Sequence, residues 1–283
     1  MAIITISRGC FSHGKEIAEY VAEKLGYECI SQEVLLETSQ FFNVSEDKLF
    51  ESLHDAPGLL ERLTHVRQRF IDRFQAMLLE HVVTDNVVYH GFAGQILLGD
   101  ISHVLKVRVI ADMEERINMV QRRQQISRTE AVNLIEREDH ERAEWYRTIC
   151  RIDMNDPRLY DMVLNIDGLS IDDACNIVCQ TASYDTFKTT QASQVAMADL
   201  ALESHIKLIL EGICKADVTC KAGIAEIKVK GQKLKTSGGT SPDVQHQVQD
   251  QIQADLYDKI VSSVAKIPGV KDVDCSINKP YYV

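Results

Sequence analysis

The fold of the N-terminal half of the chain is decided by residues 3–18, IITISRGCFSHGKEIA. The apolar run at their start predicts a short buried strand. Apolar residues then recur at helical spacing from Ile17 to Leu25, and Gly26 follows as a helix terminator. A polar loop joins the two elements. Such a junction presents backbone N–H groups and the positive end of the helix dipole, which is where proteins often bind phosphate.

Two glycines and a lysine give this loop a recognisable spacing. Gly9 and Gly14 are separated by four residues and Lys15 follows, which is the G-x4-G-K core of a phosphate-binding loop. The hydroxyl residue that usually follows the lysine and holds Mg²⁺ is missing, since Glu16 and Ile17 occupy the next positions. A turn that serves only chain reversal is the alternative, and the strand directly before the loop favours phosphate binding.

Composition indicates a two-domain globular protein. The 283 residues exceed the usual size of one domain, and 45% of them are apolar, which is enough for real cores. The eight cysteines contain no C-x-x-C pair, so we expect them to be reduced, mostly buried and not bound to metal. No signal peptide or membrane span is recognisable, which predicts a cytoplasmic location. The net charge of -11 argues against a nucleic-acid partner.

The distribution of charge is the best evidence for a domain boundary. All fifteen arginines lie at or before Arg158, and from Asp199 onward eleven lysines balance eleven acidic residues. The whole net charge therefore belongs to residues 1–198. The polar stretch from Ser183 to Ser193 indicates a linker. We predict a first domain at 1–182, a linker at 183–198 and a second domain at 199–283.

Strands and helices alternate through the rest of the first domain. Further strands are predicted at 27–30, 87–90, 104–110 and 162–166. A long helix with one apolar face, residues 59–78, precedes the strand at 87–90. Ligands bind beyond the carboxyl ends of such strands in open α/β sheets, so His90 and Gly91 are candidates for contact with a substrate. A histidine satisfied by neighbouring backbone is the alternative for His90.

An arginine-dense segment follows the strand at 104–110. Ser127 and Glu130 form a capping box that predicts a helix running towards Trp145. The arginines of this segment are Arg122, Arg123, Arg128, Arg137, Arg142, Arg147 and Arg151. They suit a mobile lid that neutralises phosphates during transfer. Acidic residues are interleaved with them, so an exposed helix laced with ion pairs is an equal alternative.

The order of these pieces resembles the cytidylate kinase-like family of P-loop nucleoside monophosphate kinases over roughly residues 1–182. Ser7-Arg8 and Gly14-Lys15-Glu16-Ile17 are similar to that family's opening, where a glutamate after the basic residue is typical. Asp139 and Arg142 resemble an Asp and an Arg of the family's lid. The predicted strand and helix after Tyr160 resemble its closing elements. The resemblance implies an α/β fold with a parallel sheet flanked by helices.

The resemblance also implies ATP-dependent phosphoryl transfer to a nucleoside monophosphate or similar small acceptor. Because Glu16 and Ile17 lack a hydroxyl, we predict that Mg²⁺ is held mainly by nucleotide oxygens and water, with Ser12 as a candidate protein ligand. Lys15 on the donor phosphates and Arg142 against the transition-state charge would be catalytic. The phosphates would be bound by Arg8, Gly9, Ser12, His13, Gly14, Lys15 and Glu16, and the lid or acceptor site would use Arg122, Arg123, Arg137, Asp139, His90 and Gly91. The family's Gly-Arg pair, which helps to hold the acceptor, is replaced by His90-Gly91. The resemblance therefore does not imply that CMP is the acceptor.

The second domain has an α-β-β-α-β pattern of its own, which makes it a small α+β domain. Helices are predicted from Asp199 to Ile213 and over the face formed by Val248, Ile252, Ile260 and Val264, with strands near 218–220, 225–229 and 270–277. This order and the ending Ile267-Pro268-Gly269-Val270 resemble a BON domain, a module associated with membrane-surface or ligand binding. We expect a mobile loop from Lys235 to Pro242, and a protein partner, a membrane surface or a second copy of the chain as the ligand. Packing on the first domain is the alternative.

A non-catalytic nucleotide sensor is the second function that the sequence allows. The absent hydroxyl after Lys15 and the absent acceptor arginine at Gly91 favour it. In that case the nucleotide would bind to the loop, and the second domain would report the bound state to a partner.

Overall fold

The computed structural model describes residues 2–31, 64–230, 233–234, 242–278 and 281–282. The chain divides into two compact units, Met1–Gln194 and Val195–Val283. The division falls within the stretch 183–198, and the predicted domain limits themselves stay a prediction. Residues 59–63 of the predicted long helix lie outside the described part of the chain.

A five-stranded parallel sheet forms the centre of the first unit. Its strands are β1 Ile3–Arg8, β2 Glu28–Ser31, β3 Val87–His90, β4 Val104–Ile110 and β5 Met162–Asn165. Their order across the sheet is β2-β3-β1-β4-β5. The register pairs Ile6 with His90 and Ser7 with Arg108, so the carboxyl ends of β1, β3 and β4 meet at one edge. The loop after β1 therefore opens at the edge where such sheets bind ligands.

Helices flank this sheet, and their ends follow the predicted signals. The helices are α1 Gly14–Leu25, α2 Thr64–Val82, α3 Gly94–Leu97, α4 Met113–Gln124, α5 Arg128–Trp145 and α6 Ile171–Ala182, with a π-helical turn at Tyr146–Cys150. Gly26 ends α1 in the left-handed conformation, at φ 68°. Both halves of the capping box of Ser127 and Glu130 are formed at the start of α5. Asp112 directly precedes α4, but its side chain makes no capping hydrogen bond.

The two faces of the sheet differ in chemistry. On one face Ile4 and Ile6 of β1 pack with Val21 of α1 and Val178 of α6 in a fully buried apolar core. Each such side chain contributes roughly 1.5–3 kcal/mol on burial. On the other face, near the ligand-binding edge, Ser7 and Arg108 lie side by side and both are buried. The first face stabilises the unit, and the second brings polar groups to the ligand-binding edge.

Helices α4 and α5 share a small core of their own. Ile117 and Val120 of α4 pack against Ala131 and Ile135 of α5. Phe11, from the loop after β1, packs against this same cluster. The arginine-rich helices α4 and α5 therefore pack directly against the loop.

The second unit is an α+β sheet domain with the predicted element order. Helix α7, Gln191–Leu210, begins in the last residues of the first unit and continues into the second. The other elements are β6 Ala216–Lys221, β7 Ile224–Val229, β8 Lys233–Leu234, α8 Pro242–Val264, β9 Asp272–Ile277 and β10 Tyr281–Tyr282. The main sheet has the order β6-β7-β9, with β6 antiparallel and β9 parallel to β7. The short strands β8 and β10, which the sequence analysis did not anticipate, form a separate parallel pair.

Several sequence expectations need correction. Helix α7 begins at Gln191 rather than Asp199, because Thr190 and Ser193 cap it reciprocally, each backbone N–H bonding to the other's hydroxyl oxygen at 2.9 and 3.1 Å. Val248 and Ile252 of α8 are 53% and 55% exposed instead of facing the core. Residues 235–241 of the expected mobile loop lie outside the described residues.

The cysteines are all free, as expected, but only Cys10 and Cys175 are buried and the other six are half-buried. Among the described residues, no helix combines the length and the apolar character that crossing a bilayer requires.

Candidate functional site

The loop between β1 and α1 has an unusual and well-fixed backbone. Phe11 and His13 adopt the left-handed conformation, at φ 55° and 57°, which costs a non-glycine residue about 1 kcal/mol or more. The Ser12 hydroxyl lies 2.9 Å from the Gly9 carbonyl oxygen and 3.1 Å from that of Val109, and the Gly9 N–H donates to the same Val109 oxygen at 3.1 Å. These bonds tie the loop to β4 and hold the strained conformation in place.

Backbone N–H groups of this loop are available for a ligand. Within the described part of the chain, no acceptor is found for the N–H groups of residues 10–16. The last three of them belong to the first turn of α1, where the helix dipole is positive. Gly14 allows the helix to start close to β1, since a Cβ there would lie 2.5 Å from the Arg8 Cβ. The loop therefore has the construction of an anion-binding site.

A cavity of about 130 Å³ lies against the loop. It is lined by Arg8, Gly9, Cys10, Phe11, Ser12, His13, Gly14, Lys15, Glu16, Met119, Arg123, Glu138 and Arg142. Sites for whole drug-sized ligands are usually about 300–1,000 Å³. The volume therefore matches the phosphate portion of a nucleotide better than the whole molecule.

Two arginines from the helix pair α4 and α5 bind the carbonyl oxygens of the loop. Arg142 Nη1 donates to the Arg8 oxygen at 2.7 Å, and its guanidinium carbon lies 4.9 Å from the centre of the Phe92 ring. Arg116 Nε donates to the Cys10 oxygen at 2.7 Å. The same guanidinium holds both carboxylate oxygens of Asp139 at 2.7 Å. Asp139 thus acts on the loop through Arg116. Arg116 is a positioning residue that the sequence pattern did not indicate.

Lys15 reaches the cavity but its ammonium group is paired elsewhere. Nζ lies 3.7 Å from Glu19 Oε1, one helical turn along α1, and both side chains are more than half exposed. Pairs of this kind stabilise a helix by only about 0.3–0.5 kcal/mol. A phosphate group at the loop competes easily with Glu19 for this lysine.

Glu16 occupies the position where a phosphate-binding loop usually carries a hydroxyl residue. Its carboxylate lies in a series of charged side chains. Its carboxylate bonds to His13 Nδ1 and lies 2.5 Å from Arg123 Nη2, while His13 Nε2 lies 3.4 Å from Glu115 Oε1. Partial burial opposes ionisation of Glu16, but the hydrogen bond with His13 and the charges of His13 and Arg123 outweigh it, so the pKa lies below its ordinary value. A negative charge therefore stands at the mouth of the cavity and is balanced by Arg123.

Cys10 contributes no reactive thiolate to the cavity. Burial raises the pKa of its thiol to about 12, and the nearby positive charge of Arg142 lowers it only in part. The thiol is therefore protonated at neutral pH, which excludes Cys10 as a nucleophile.

Other predicted candidates lie outside the cavity. Arg122 pairs with Glu115 at 3.0 Å and Arg137 pairs with Glu141 at 3.8 Å, and both arginines are well exposed. His90 is buried at the end of β3 with Gly91 directly after it, and neither lines the cavity. The structure thus brings the loop residues together with Arg123 and Arg142 but does not bring Arg122, Arg137, His90 or Gly91 into the same site.

A buried polar network at the ligand-binding edge escaped the sequence analysis. The Tyr160 hydroxyl donates to the Met154 carbonyl at 2.9 Å and accepts from Arg108 Nη1 at 3.2 Å and from Gln95 Nε2 at 3.3 Å. Ser7 Oγ lies 3.4 Å from the same hydroxyl. The side chains that meet at the Tyr160 hydroxyl lie 52 to 153 residues from Tyr160 in the sequence, so no local pattern indicates the network.

Metal binding by the protein alone finds no support here. Over the residues that the structure describes, no three His, Cys, Asp or Glu side chains come together in a way that could hold an ion. Ser12 is 1% exposed, and its hydroxyl donates to the carbonyl oxygens of Gly9 and Val109, so it shapes the loop.

The chain is similar to one protein family and to several solved structures. Residues 3–168 match the model of the cytidylate kinase-like family. A solved structure of an uncharacterized protein from Eubacterium ventriosum is 20% identical, covers 64% of this chain and 97% of its own, and has a TM-score of 0.52. TT1252 from Thermus thermophilus is 19% identical, with 65% and 98% of the two chains covered and a TM-score of 0.42. A shikimate kinase from Bacteroides thetaiotaomicron is 14% identical, with 65% and 99% covered and a TM-score of 0.39.

A search of curated proteins finds no match. The likeness to the structure from Eubacterium ventriosum shows a shared fold. The family match spans more than half of the chain and includes the loop and its arginines. The chain therefore belongs to the cytidylate kinase-like family.

Proposed function

We propose that the protein transfers the terminal phosphoryl group of ATP to a nucleoside monophosphate or a similar small acceptor. Membership of the family supports nucleotide-dependent phosphoryl transfer in general. The observation that carries the proposal is one cavity in which an N–H-rich loop meets arginines from two helices, Arg123 and Arg142. Phosphoryl transfer depends on such positioning and charge neutralisation more than on covalent chemistry by the protein.

Each group at the cavity has a role in this proposal. The N–H groups at the start of α1 and Lys15 bind the donor phosphates. Arg142 offsets the charge that develops during transfer, and its bond to the Arg8 carbonyl fixes the guanidinium beside the loop. Mg²⁺ neutralises phosphate oxygens when bound, and it would be held by those oxygens and by water, since Glu16 replaces the usual hydroxyl.

The test is turnover with Mg-ATP and a panel of nucleoside monophosphates, comparing the native chain with Lys15→Ala. We expect acceptor-dependent ADP release with at least one monophosphate, and a fall of about 10²-fold in kcat/KM for Lys15→Ala, because a charge on the donor phosphates is lost. Lys24→Ala, which removes a lysine from the far end of the same helix, is the control and should change little. Turnover on no acceptor, or equal turnover by Lys15→Ala, would contradict the proposal.

A nucleotide sensor is the second candidate. The absence of a hydroxyl after Lys15 and of an arginine at Gly91 favours it, since both groups usually assist transfer. Thermal-shift measurements distinguish the two functions. A sensor is stabilised by nucleotide, by about 2.7 kcal/mol at a hundredfold excess over Kd, yet releases no ADP when acceptors are added.

For the second unit we propose a BON-like interaction or regulatory domain without a catalytic role. Its charge is balanced. Among the described strands, β6 and β9 lie at the edges of its sheet, and edge strands commonly recruit a protein strand or another subunit. A protein partner, a membrane surface and a second copy of the chain remain the candidate ligands. The cytoplasmic location also stays a prediction.

Removal of the second unit tests whether the first unit folds and binds nucleotide without it. Phe187 packs on the core of the first unit and Thr189 Oγ1 donates to Asp85 at 2.8 Å, so the cut belongs after Gln194 rather than at 182. We expect the fragment 1–194 to fold and to be stabilised by Mg-ATP as the full chain is, measured by thermal shift. Aggregation of the fragment or loss of its nucleotide response would show that the second unit completes the first.

A further inference from the structure

Arg108 of β4 is a buried cation that the proposed function leaves unused. The residue is 7% exposed. Its guanidinium donates to the Tyr160 hydroxyl at 3.2 Å and to Asn155 Oδ1 at 2.8 Å, and its carbon lies 5.5 Å from the centre of the Tyr160 ring. Both partners are neutral. Among the described residues, no carboxylate lies within the 4.0 Å of an ion pair with Arg108.

These neutral partners compensate the charge only weakly. The Tyr160 hydroxyl is shared with Gln95, which also donates to it, and its own proton goes to the Met154 carbonyl. Within the described chain, Arg108 uses two of its five N–H donors. A charge removed from water without a counter-charge destabilises the fold. An anion bound to the guanidinium would supply the missing counter-charge.

The position of Arg108 favours a ligand rather than an internal counter-ion. In the sheet it is the register partner of Ser7, which directly precedes the cavity residue Arg8. Both lie near the carboxyl ends of their strands, where parallel sheets bind ligands. Tyr160 is buried but Asn155 is exposed. The guanidinium therefore extends from the buried network towards the surface. On that side its hydrogen-bond partner among the described residues is Asn155, whose side chain can move into water.

We propose that Arg108 forms a second oxyanion subsite, which binds the phosphate or carboxylate group of the acceptor after that group replaces Asn155 on the guanidinium. The planar fork of an arginine matches both oxyanions with paired hydrogen bonds. The assignment of the ligand as the acceptor rests on the proposed function. The subsite itself does not, since it is argued from a buried cation for which the described residues provide no counter-charge.

Anion titrations of the full chain test the subsite. Tripolyphosphate is first added to saturation, so that the loop after β1 is filled, and inorganic phosphate or acetate is then titrated while Tm is followed. We expect one of these anions to raise Tm further in the native chain, and its apparent Kd to increase about tenfold or more in Arg108→Met. Arg158→Met is the matched control, because Arg158 is exposed and pairs with Asp156 at 2.8 Å; its titration should equal that of the native chain.

The outcomes separate this proposal from the proposed function. Equal titrations for Arg108→Met and the native chain, or no response to either anion, would overturn the subsite. If Arg108→Met does not fold, Arg108→Lys decides, because it keeps the charge and loses the planar fork. Unchanged anion affinity in that variant would also overturn the subsite.

If tripolyphosphate itself has no effect on Tm while the Arg108-dependent response persists, the subsite stands and the donor-phosphate site of the proposed function fails. A response to phosphate alone points to a phosphomonoester acceptor, and a response to acetate alone points to a carboxylate.

Discussion

Arg142→Gln is expected to lower kcat by about 10³-fold, the lower end of the range for arginines that stabilise phosphoryl transfer. The guanidinium lines the cavity and is fixed by two contacts, the Arg8 carbonyl at 2.7 Å and the Phe92 ring at 4.9 Å. A glutamine retains a hydrogen-bond donor but supplies no charge. Because Lys15 and the N–H groups of the loop still bind the donor, KM for ATP should change much less than kcat, and steady-state kinetics separates the two.

Arg147→Gln is the matched control for this prediction. Arg147 follows α5 by two residues, is exposed and pairs with Glu144, without lining the cavity. Its kcat should stay within about twofold of the native value. Arg142→Gln also loses a hydrogen bond worth about 1 kcal/mol, so its Tm should fall by a few degrees. The loss of turnover is therefore assigned to Arg142 only if the variant is folded at the assay temperature. A similar kcat for both variants would remove Arg142 from catalysis.

The framework of the first unit was predictable because its signals are local. An apolar run, a left-handed Gly26 and the capping pair of Ser127 and Glu130 each specify an element within a few residues. The start of α7 was wrong by eight residues for a related reason. The cap of Thr190 and Ser193 resembles the polar composition of a linker, so the same residues that begin the helix were assigned to the loop before it.

Exposure of α8 could not be deduced from periodicity. Val248 and Ile252 continue the apolar face of Ile260 and Val264, yet only the latter two are buried. The helix has 23 residues, and the core formed with the sheet covers its C-terminal part. An apolar stripe predicts which side of a helix faces a core, but not how far the core extends along it.

The site was predictable where it is contiguous and not where it is assembled from distant residues. Residues 8–16 all line the cavity, and the loop pattern indicated most of them. Arg122 and Arg123 are neighbours in sequence, but a helix rotates by about 100° per residue and only Arg123 faces the cavity. The bonds of Arg116 to Asp139 and of Arg108 to Tyr160 join residues 23 and 52 positions apart. Only the packing of α4 and α5 and the register of the sheet bring them together.

Gly14→Ala is expected to weaken nucleotide binding by about 10²-fold or more and to destabilise the chain by roughly 1–3 kcal/mol through overpacking. The new Cβ would lie 2.5 Å from the Arg8 Cβ, with further Arg8 atoms at 3.2 and 3.4 Å. A Cβ is fixed by its backbone, so the clash is relieved only when the end of β1 and the start of α1 move apart. That movement displaces the N–H groups that would hold the phosphates. Thermal shifts with Mg-ATP and with tripolyphosphate measure the affinity, and denaturant unfolding measures the stability.

Gly9→Ala is the control that makes this prediction sharp, because the G-x4-G-K pattern treats the two glycines alike. A Cβ at Gly9 would meet Ser12 at 3.7 Å or more, which is ordinary contact, and the backbone there is not left-handed. Its stability should therefore stay within about 0.5 kcal/mol of the native value, and its nucleotide affinity within about threefold. Equal losses in both variants would mean that the loop requires flexibility at each glycine, and no loss in either would mean that the close approach of Arg8 to Gly14 does not shape the phosphate site.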